Sequence, residues 1–117
     1  MQLLCLTDHG PDAALPGLAL LAHEIRTAPL AVQVPAPTAE RFDLVLVDGT
    51  ADIRLAWTQC LDLRRDWSIP RVLLTTESAL SAVTPEWGVA EVILTAASPS
   101  EIELRLRLAA GRGASQR

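Results

Sequence analysis

The chain contains no lysine and no tyrosine, and its only aromatic residues are Phe42, Trp57, Trp67 and Trp87. Half of its 117 residues are nonetheless hydrophobic, so the core has to be built from Leu, Val, Ile and Ala. All ten basic residues are arginine, set against fourteen acidic ones for a net charge of −4. Without clustered cations to neutralise phosphates, this segment is not expected to hold nucleic acid by itself. Cys5 and Cys60 are the only cysteines. They are too few and too isolated for a disulfide scaffold or a zinc site, and they read as buried thiols of a cytoplasmic protein. No apolar run approaches the ~20 residues that span a bilayer, and no basic segment precedes one at the N-terminus, so neither a membrane partner nor a signal peptide is expected. The length suits one domain with a real core.

What is present is a set of short apolar runs. Leu44-Val-Leu-Val47 is unbroken and ends in Asp48-Gly49-Thr50. Such a run reads as a strand buried on both faces, hence a central parallel strand. Leu3-Leu-Cys-Leu-Thr7, Arg71-Val-Leu-Leu-Thr75 and Glu91-Val-Ile-Leu94 are of the same kind, and His23–Thr27 is a brief strand stopped by Pro29. Between them, residues 12–22 are helical in composition, with a start near Ala14 or Leu15 because Pro16 is tolerated only in a first turn. Residues 30–40 hold Pro35 and Pro37 and permit only an irregular helix. Ala51–Asp66 is helical, with Ile53, Trp57, Cys60/Leu61 and Arg64 at spacings of three and four. Ser78–Val83 allows one or two helical turns. Strand and helix alternating five times specify an α/β domain: a flavodoxin-like, doubly wound, five-stranded parallel sheet with right-handed crossovers.

The last segment alternates like a strand, with Ile102, Leu104, Leu106 and Leu108 separated by Glu103, Arg105 and Arg107. Ser98-Pro99-Ser100-Glu101 opposes that reading, since it joins an N-cap serine, a first-turn proline and a capping-box glutamate. Leu, Glu, Arg and Ala also favour helix, and Glu101/Arg105 and Glu103/Arg107 are i,i+4 pairs. As a helix it presents two apolar stripes. Ile102, Leu106 and Ala109 pack on the sheet, whereas Leu104 and Leu108 face outward and suggest a partner surface. Residues 1–110 form the domain, and 111–117 read as a flexible linker that Gly111 and Gly113 begin.

Three strand ends converge in such a fold: Asp8, Asp48 and Thr75. Two carboxylates beside a hydroxyl could hold Mg²⁺ and let one carboxylate accept a phosphoryl group. A lone aspartate ending a strand can equally cap the next helix.

On these residues the chain resembles the receiver domain of bacterial two-component response regulators along nearly its whole length. Leu44–Asp48 is similar to the phospho-acceptor strand, Pro70–Thr75 to the strand ending in the switch Thr/Ser, and Arg105–Arg107 to the last helix of the OmpR/PhoB subfamily. The segment Gly88–Glu101 lines up with G-A-D-D-Y-L-x-K-P-F-x-P-x-E. Departures are specific. One of two adjacent acids after the first strand is Thr7, with Asp8 following. Thr95 stands at the lysine, Ala96 at the next proline and Val92 at the switch aromatic. The resemblance therefore implies Asp48 at the phospho-acceptor position, Thr75, Thr95 and Val92 at switch and pocket positions, and a weak or vestigial metal site at Asp8 and Asp48. No cofactor is expected beyond weakly held Mg²⁺. With one acid and the lysine gone, little or no phosphorylation of Asp48 is expected.

Leu15–Pro29, Glu86–Leu94 and Pro99–Leu108 narrow the resemblance to the orphan nitrogen regulators of actinobacteria, the GlnR type. That implies a receiver that homodimerises without phosphorylation through its fourth helix, fifth strand and fifth helix. Such a dimer positions a C-terminal winged-helix domain, absent from this chain, which alone touches DNA. Glu91, Leu104, Arg105, Arg107 and Leu108 would form the dimer interface, with Glu91 pairing across the dyad to Arg105 or Arg107. The alternatives are a phosphorylation-competent receiver, a metabolite-sensing pseudo-receiver, and a phosphatase. For the last, Asp48-Gly49-Thr50 is similar to the "DGT" of haloacid-dehalogenase enzymes, but Leu46 occupies the nucleophile's place. No enzymatic activity is therefore expected.

Overall fold

The computed structural model describes residues 1–31, 41–66 and 69–115. Five strands, β1 (Gln2–Leu6), β2 (Glu24–Ala28), β3 (Leu44–Asp48), β4 (Arg71–Thr75) and β5 (Glu91–Leu94), form one sheet. Its order is β2-β1-β3-β4-β5, and every pairing is parallel. Two helices of more than one turn accompany it among the described residues: α2 (Ile53–Asp66) on one face and α3 (Pro99–Ser115) on the other. A single turn, α1 (Pro11–Ala14), follows β1.

The period-two pleat sorts the apolar runs into two cores. Leu3, Cys5, Leu44, Leu46, Val72 and Leu74 meet Leu15, Leu18 and the α3 stripe. Leu4, Leu6, Val45, Val47 and Leu73 meet Ala56, Cys60 and Leu63 of α2, together with Trp87. All five residues of β3 are buried, as a strand covered on both faces requires. The α2 face that turns inward is thus Ala56–Cys60–Leu63, while Ile53 and Trp57 stay half-buried at its edge.

Ile102, Leu106 and Ala109 are fully buried, and Leu104 and Leu108 are 51% and 47% exposed. The 100° helical step thus resolves the alternating sequence into one inward and one outward stripe. The Ser98 hydroxyl accepts from the Glu101 N–H at 3.3 Å, and Arg105 and Arg107 bridge back to Glu101 and Glu103 at 3.3 and 3.8 Å. His23, with its side chain 9% exposed, links the start of β2 to this helix through Glu103 at 2.7 Å.

Three local expectations need correction. Residues 12–22 do not form a helix; α1 is followed by a 3₁₀ segment, Pro16–Leu20. Proline pushes its predecessor out of the helical region, and Leu15 adopts φ −149°, ψ 82°. Gly17 then lies so close to α3 that a Cβ there would sit 2.8 Å from Ile102 Cδ1 and 3.0 Å from the Ala97 carbonyl. After β4 the chain forms two 3₁₀ segments, Glu77–Ala82 and Pro85–Trp87, where an α-helix was expected; Pro85 interrupts any longer run. Finally, α3 does not stop at Gly111. It continues through Gly113 to Ser115, so most of the presumed linker is helical. An interior glycine costs only about 1 kcal/mol relative to alanine, so neither glycine is enough to end the helix. The expected irregular segment of residues 30–40 lies, past Ala31, outside the described residues.

Candidate functional site

The site forms where β1, β3 and β4 end side by side. β1 pairs with β3 so that Leu6 lies opposite Val47, which carries Thr7 alongside Asp48. The Thr7 hydroxyl donates to Asp48 Oδ2 at 2.6 Å. Asp48 Oδ1 accepts from the Thr50 backbone N–H at 2.9 Å and from the Thr50 hydroxyl at 2.5 Å. The Thr7 oxygen in turn accepts from the His9 N–H at 3.1 Å. Asp48 is only 2% exposed. Both of its oxygens are therefore satisfied from within the chain, as a buried carboxylate requires.

Gly49 makes this loop possible. Its N–H donates to the Leu74 carbonyl at 2.7 Å, and a Cβ there would stand 3.0 Å from that same oxygen and from Ile53 Cδ1. The strand end, the Asp48 loop and the first turn of α2 are thereby packed against one another. The Asp52 carboxylate caps that turn, accepting from the N–H groups of Arg54 and Leu55 at 3.1 Å each. Helix capping thus falls to Asp52, which frees Asp48 from that role.

The remaining candidate residues are distributed less compactly. Asp8 is exposed, and its carboxylate accepts from the Leu30 N–H at 3.0 Å. It is held toward the end of β2. Among the described residues no group of three or more His, Cys, Asp or Glu side chains could hold a metal ion. A single buried carboxylate ringed by hydroxyl donors does not fit the oxygen-acceptor set that Mg²⁺ needs. Thr75 is fully buried, and its hydroxyl has no partner among the described residues. The register explains this: Asp48 lies opposite Leu74, so the pleat turns Thr75 to the other face. Asp48 is bonded by Thr7 and Thr50 instead. Thr95 is half-buried and contributes its backbone N–H to the Thr75 carbonyl at 2.9 Å. Val92 is half-buried and packs into the core on the α2 side.

Cys5 lies two residues before Thr7 on β1. Burial, with the Asp48 charge adding to it, pushes its thiol up to about 12. Burial pushes the Cys60 thiol up to about 11, against a lowering by Arg71. Both are free thiols.

A second candidate region lies along β5 and α3. Arg105 Nη1 meets Glu91 Oε1 at 2.9 Å within the chain, so this pair forms without a partner molecule. Beside it runs a groove of about 390 Å³ whose apolar wall is Leu80, Val89, Val92 and Leu94. Leu80, 39% exposed, was not anticipated, because an isolated leucine in a proline-flanked loop carries no periodicity. Leu104 belongs to a different groove, of about 370 Å³, together with Leu21, Pro99 and Arg107. The outward stripe of α3 therefore separates two surfaces.

Among solved structures, the chain is similar to NtrX from Brucella abortus, with a TM-score of 0.67 and 21% identity over 99% of this chain and 27% of that one. The BeF₃-activated N-terminal receiver domain of Klebsiella pneumoniae RstA gives a TM-score of 0.66 and 25% identity, covering 94% of this chain and 98% of that one. A response regulator receiver domain protein from Clostridium thermocellum gives 0.61 at 13% identity, covering 99% and 98%. The chain thus has the receiver fold, and it spans about a quarter of the NtrX chain. No curated protein sequence matches it. No described helix is long and apolar enough to cross a membrane. Residues 1–110 match the family described as "Transcription regulator GlnR, N-terminal domain", and by that match over most of its length the chain belongs to this family.

Proposed function

We propose that this domain works without phosphorylation. In this reading it homodimerises through the face formed by β5, α3 and the 3₁₀ segment 77–82, and so positions the DNA-binding domain of a nitrogen-type orphan transcription regulator. Its role is regulatory, in keeping with a family of transcription regulators. The observation that carries the proposal is the saturation of Asp48 by Thr7 and Thr50. To attack a phosphoryl group, a carboxylate oxygen must shed its donors, and the product needs cations around the new phosphoryl oxygens. Here the first acid position is Thr7, the second acid is tied to Leu30, and the lysine position is Thr95.

The same bonds give Asp48 a structural task. The carboxylate ties β1 to the loop that leads into α2, holding the strand ends in one arrangement. The dimer face is apolar at Leu80, Leu94 and Leu108 and charged at Glu91, Glu101 and Arg105, the mixture typical of a specific interface. Acetyl phosphate with Mg²⁺, followed by intact-mass measurement, tests the proposal. No mass increase is expected, and a stoichiometric phosphoryl adduct lost on Asp48→Asn would overturn it.

A further inference from the structure

Helix α3 sorts its charges by position. Glu101 and Glu103 precede Leu104, and Arg105 and Arg107 follow it. Leu104 stands outward between them, about half exposed. The groove beside it extends the apolar surface through Pro99 to Leu21, and Leu20, next to Leu21 in the chain, is 77% exposed. Among the described residues the other large apolar side chains left exposed are Leu80 and Leu108, which belong to the face proposed above for the dimer. Leu20, Leu21, Pro99 and Leu104 therefore form a second apolar surface, lying outside that face.

The order of the charges selects what can cover it. Lay a second copy of α3 antiparallel across the first, with Leu104 on the two-fold axis. The Arg105–Arg107 turn of each copy then lies over the Glu101–Glu103 turn of the other, and the axis makes every contact twice. A parallel copy would set acid against acid and arginine against arginine, which opposes association. The bridges inside each helix, at 3.3 and 3.8 Å, need not break. A guanidinium carries five donors and a carboxylate about four acceptor positions, so each can take a further partner. Arg107 has the room to do so, with its side chain 71% exposed.

From this charge complementarity we infer that the second surface is a contact between copies of this chain, α3 against α3 and antiparallel, with Leu104 at its centre and Leu21 and Pro99 at its rim. The contact is separate from the β5-face dimer and does not depend on it. Where both form, the α3 contact joins dimers into larger assemblies.

Sedimentation equilibrium of the whole chain carrying Leu80→Glu, from micromolar to millimolar concentration, tests this, because that substitution disables the β5 face. A monomer–dimer equilibrium is expected to remain. Adding Leu104→Glu or Arg107→Glu should weaken it by about tenfold or more, since either one places a carboxylate against the other copy's acidic turn. Added salt should weaken it as well. If wild type and Leu80→Glu associate alike and both lose the association with Leu104→Glu, the α3 contact stands and the β5-face dimer falls. A Leu80→Glu chain that stays monomeric throughout, leaving the surface to a different protein, would overturn the inference. So would a dimer indifferent to both Leu104→Glu and Arg107→Glu.

Discussion

Thr7 and Asp48 are joined by a 2.6 Å hydrogen bond between the ends of neighbouring strands, and the bond is buried. The position that resembles the first of the two adjacent acids of receiver domains supplies a donor here. A site that would gather a cation between carboxylates becomes one that closes on itself.

Thr7→Val keeps the shape of the side chain and leaves Asp48 Oδ2 without its donor. Stability should fall by about 1–3 kcal/mol, the cost of an unsatisfied buried acceptor. Urea denaturation reads this directly. Because Thr50 still holds Oδ1, the loss should be smaller than for Asp48→Ala, which strands both hydroxyls.

The alkaline limb of stability should belong to the two cysteines. The chain has no lysine and no tyrosine, and arginine does not titrate in this range. Both thiols ionise near 9.0 when exposed, but only at about 12 for Cys5 and about 11 for Cys60 when folded. A folded-state value raised above the unfolded one gives stability that is complete below pH 9. It is then lost as pH rises, since only the unfolded chain releases these protons. The slope should be roughly 1.4 kcal/mol per thiol per pH unit between pH 9 and 11. Cys5→Ala/Cys60→Ala, compared with wild type across that window, should flatten it.

Helix α3 begins with a serine cap and a glutamate pair. Ser98→Ala should cost about 1 kcal/mol through the lost bond to the Glu101 N–H, measured by thermal unfolding. The Glu101/Arg105 bridge is exposed, and Glu101→Gln should cost under about 0.5 kcal/mol.

The strands and the double-sided burial of β3 could be read from the sequence, because short aliphatic runs have few ways to hide both faces. The α3 stripe could be read for the same reason: Ser98 and Pro99 fix where the helix starts, and 100° per residue does the rest. The partner of Asp48 could not. It depends on β1 and β3 pairing with Leu6 opposite Val47, a register that no local pattern encodes. From sequence, Thr7 registers as a missing acid, and Thr75, one residue past the position opposite Asp48, looks like the neighbour. The same limit applies to Leu104, since helical periodicity places it outward without saying which groove it borders. The proline-rich connections failed differently. Pro16 and Pro85 break helices that composition alone favours, leaving 3₁₀ turns.

The two grooves beside α3 can be separated by substitution. Leu80→Glu and Leu108→Glu should each dissociate a dimer built on the β5 face. Leu104→Glu, facing the Leu21 groove, should weaken it less. Sedimentation equilibrium of the three variants ranks them.

The most direct measurement is sedimentation velocity of the unmodified chain with and without beryllofluoride and Mg²⁺. A dimer is expected in both conditions, with the same sedimentation coefficient. A monomer that becomes a dimer only when beryllofluoride is added would contradict it, because Asp48 would then be acting as an acceptor rather than as a tie to Thr7.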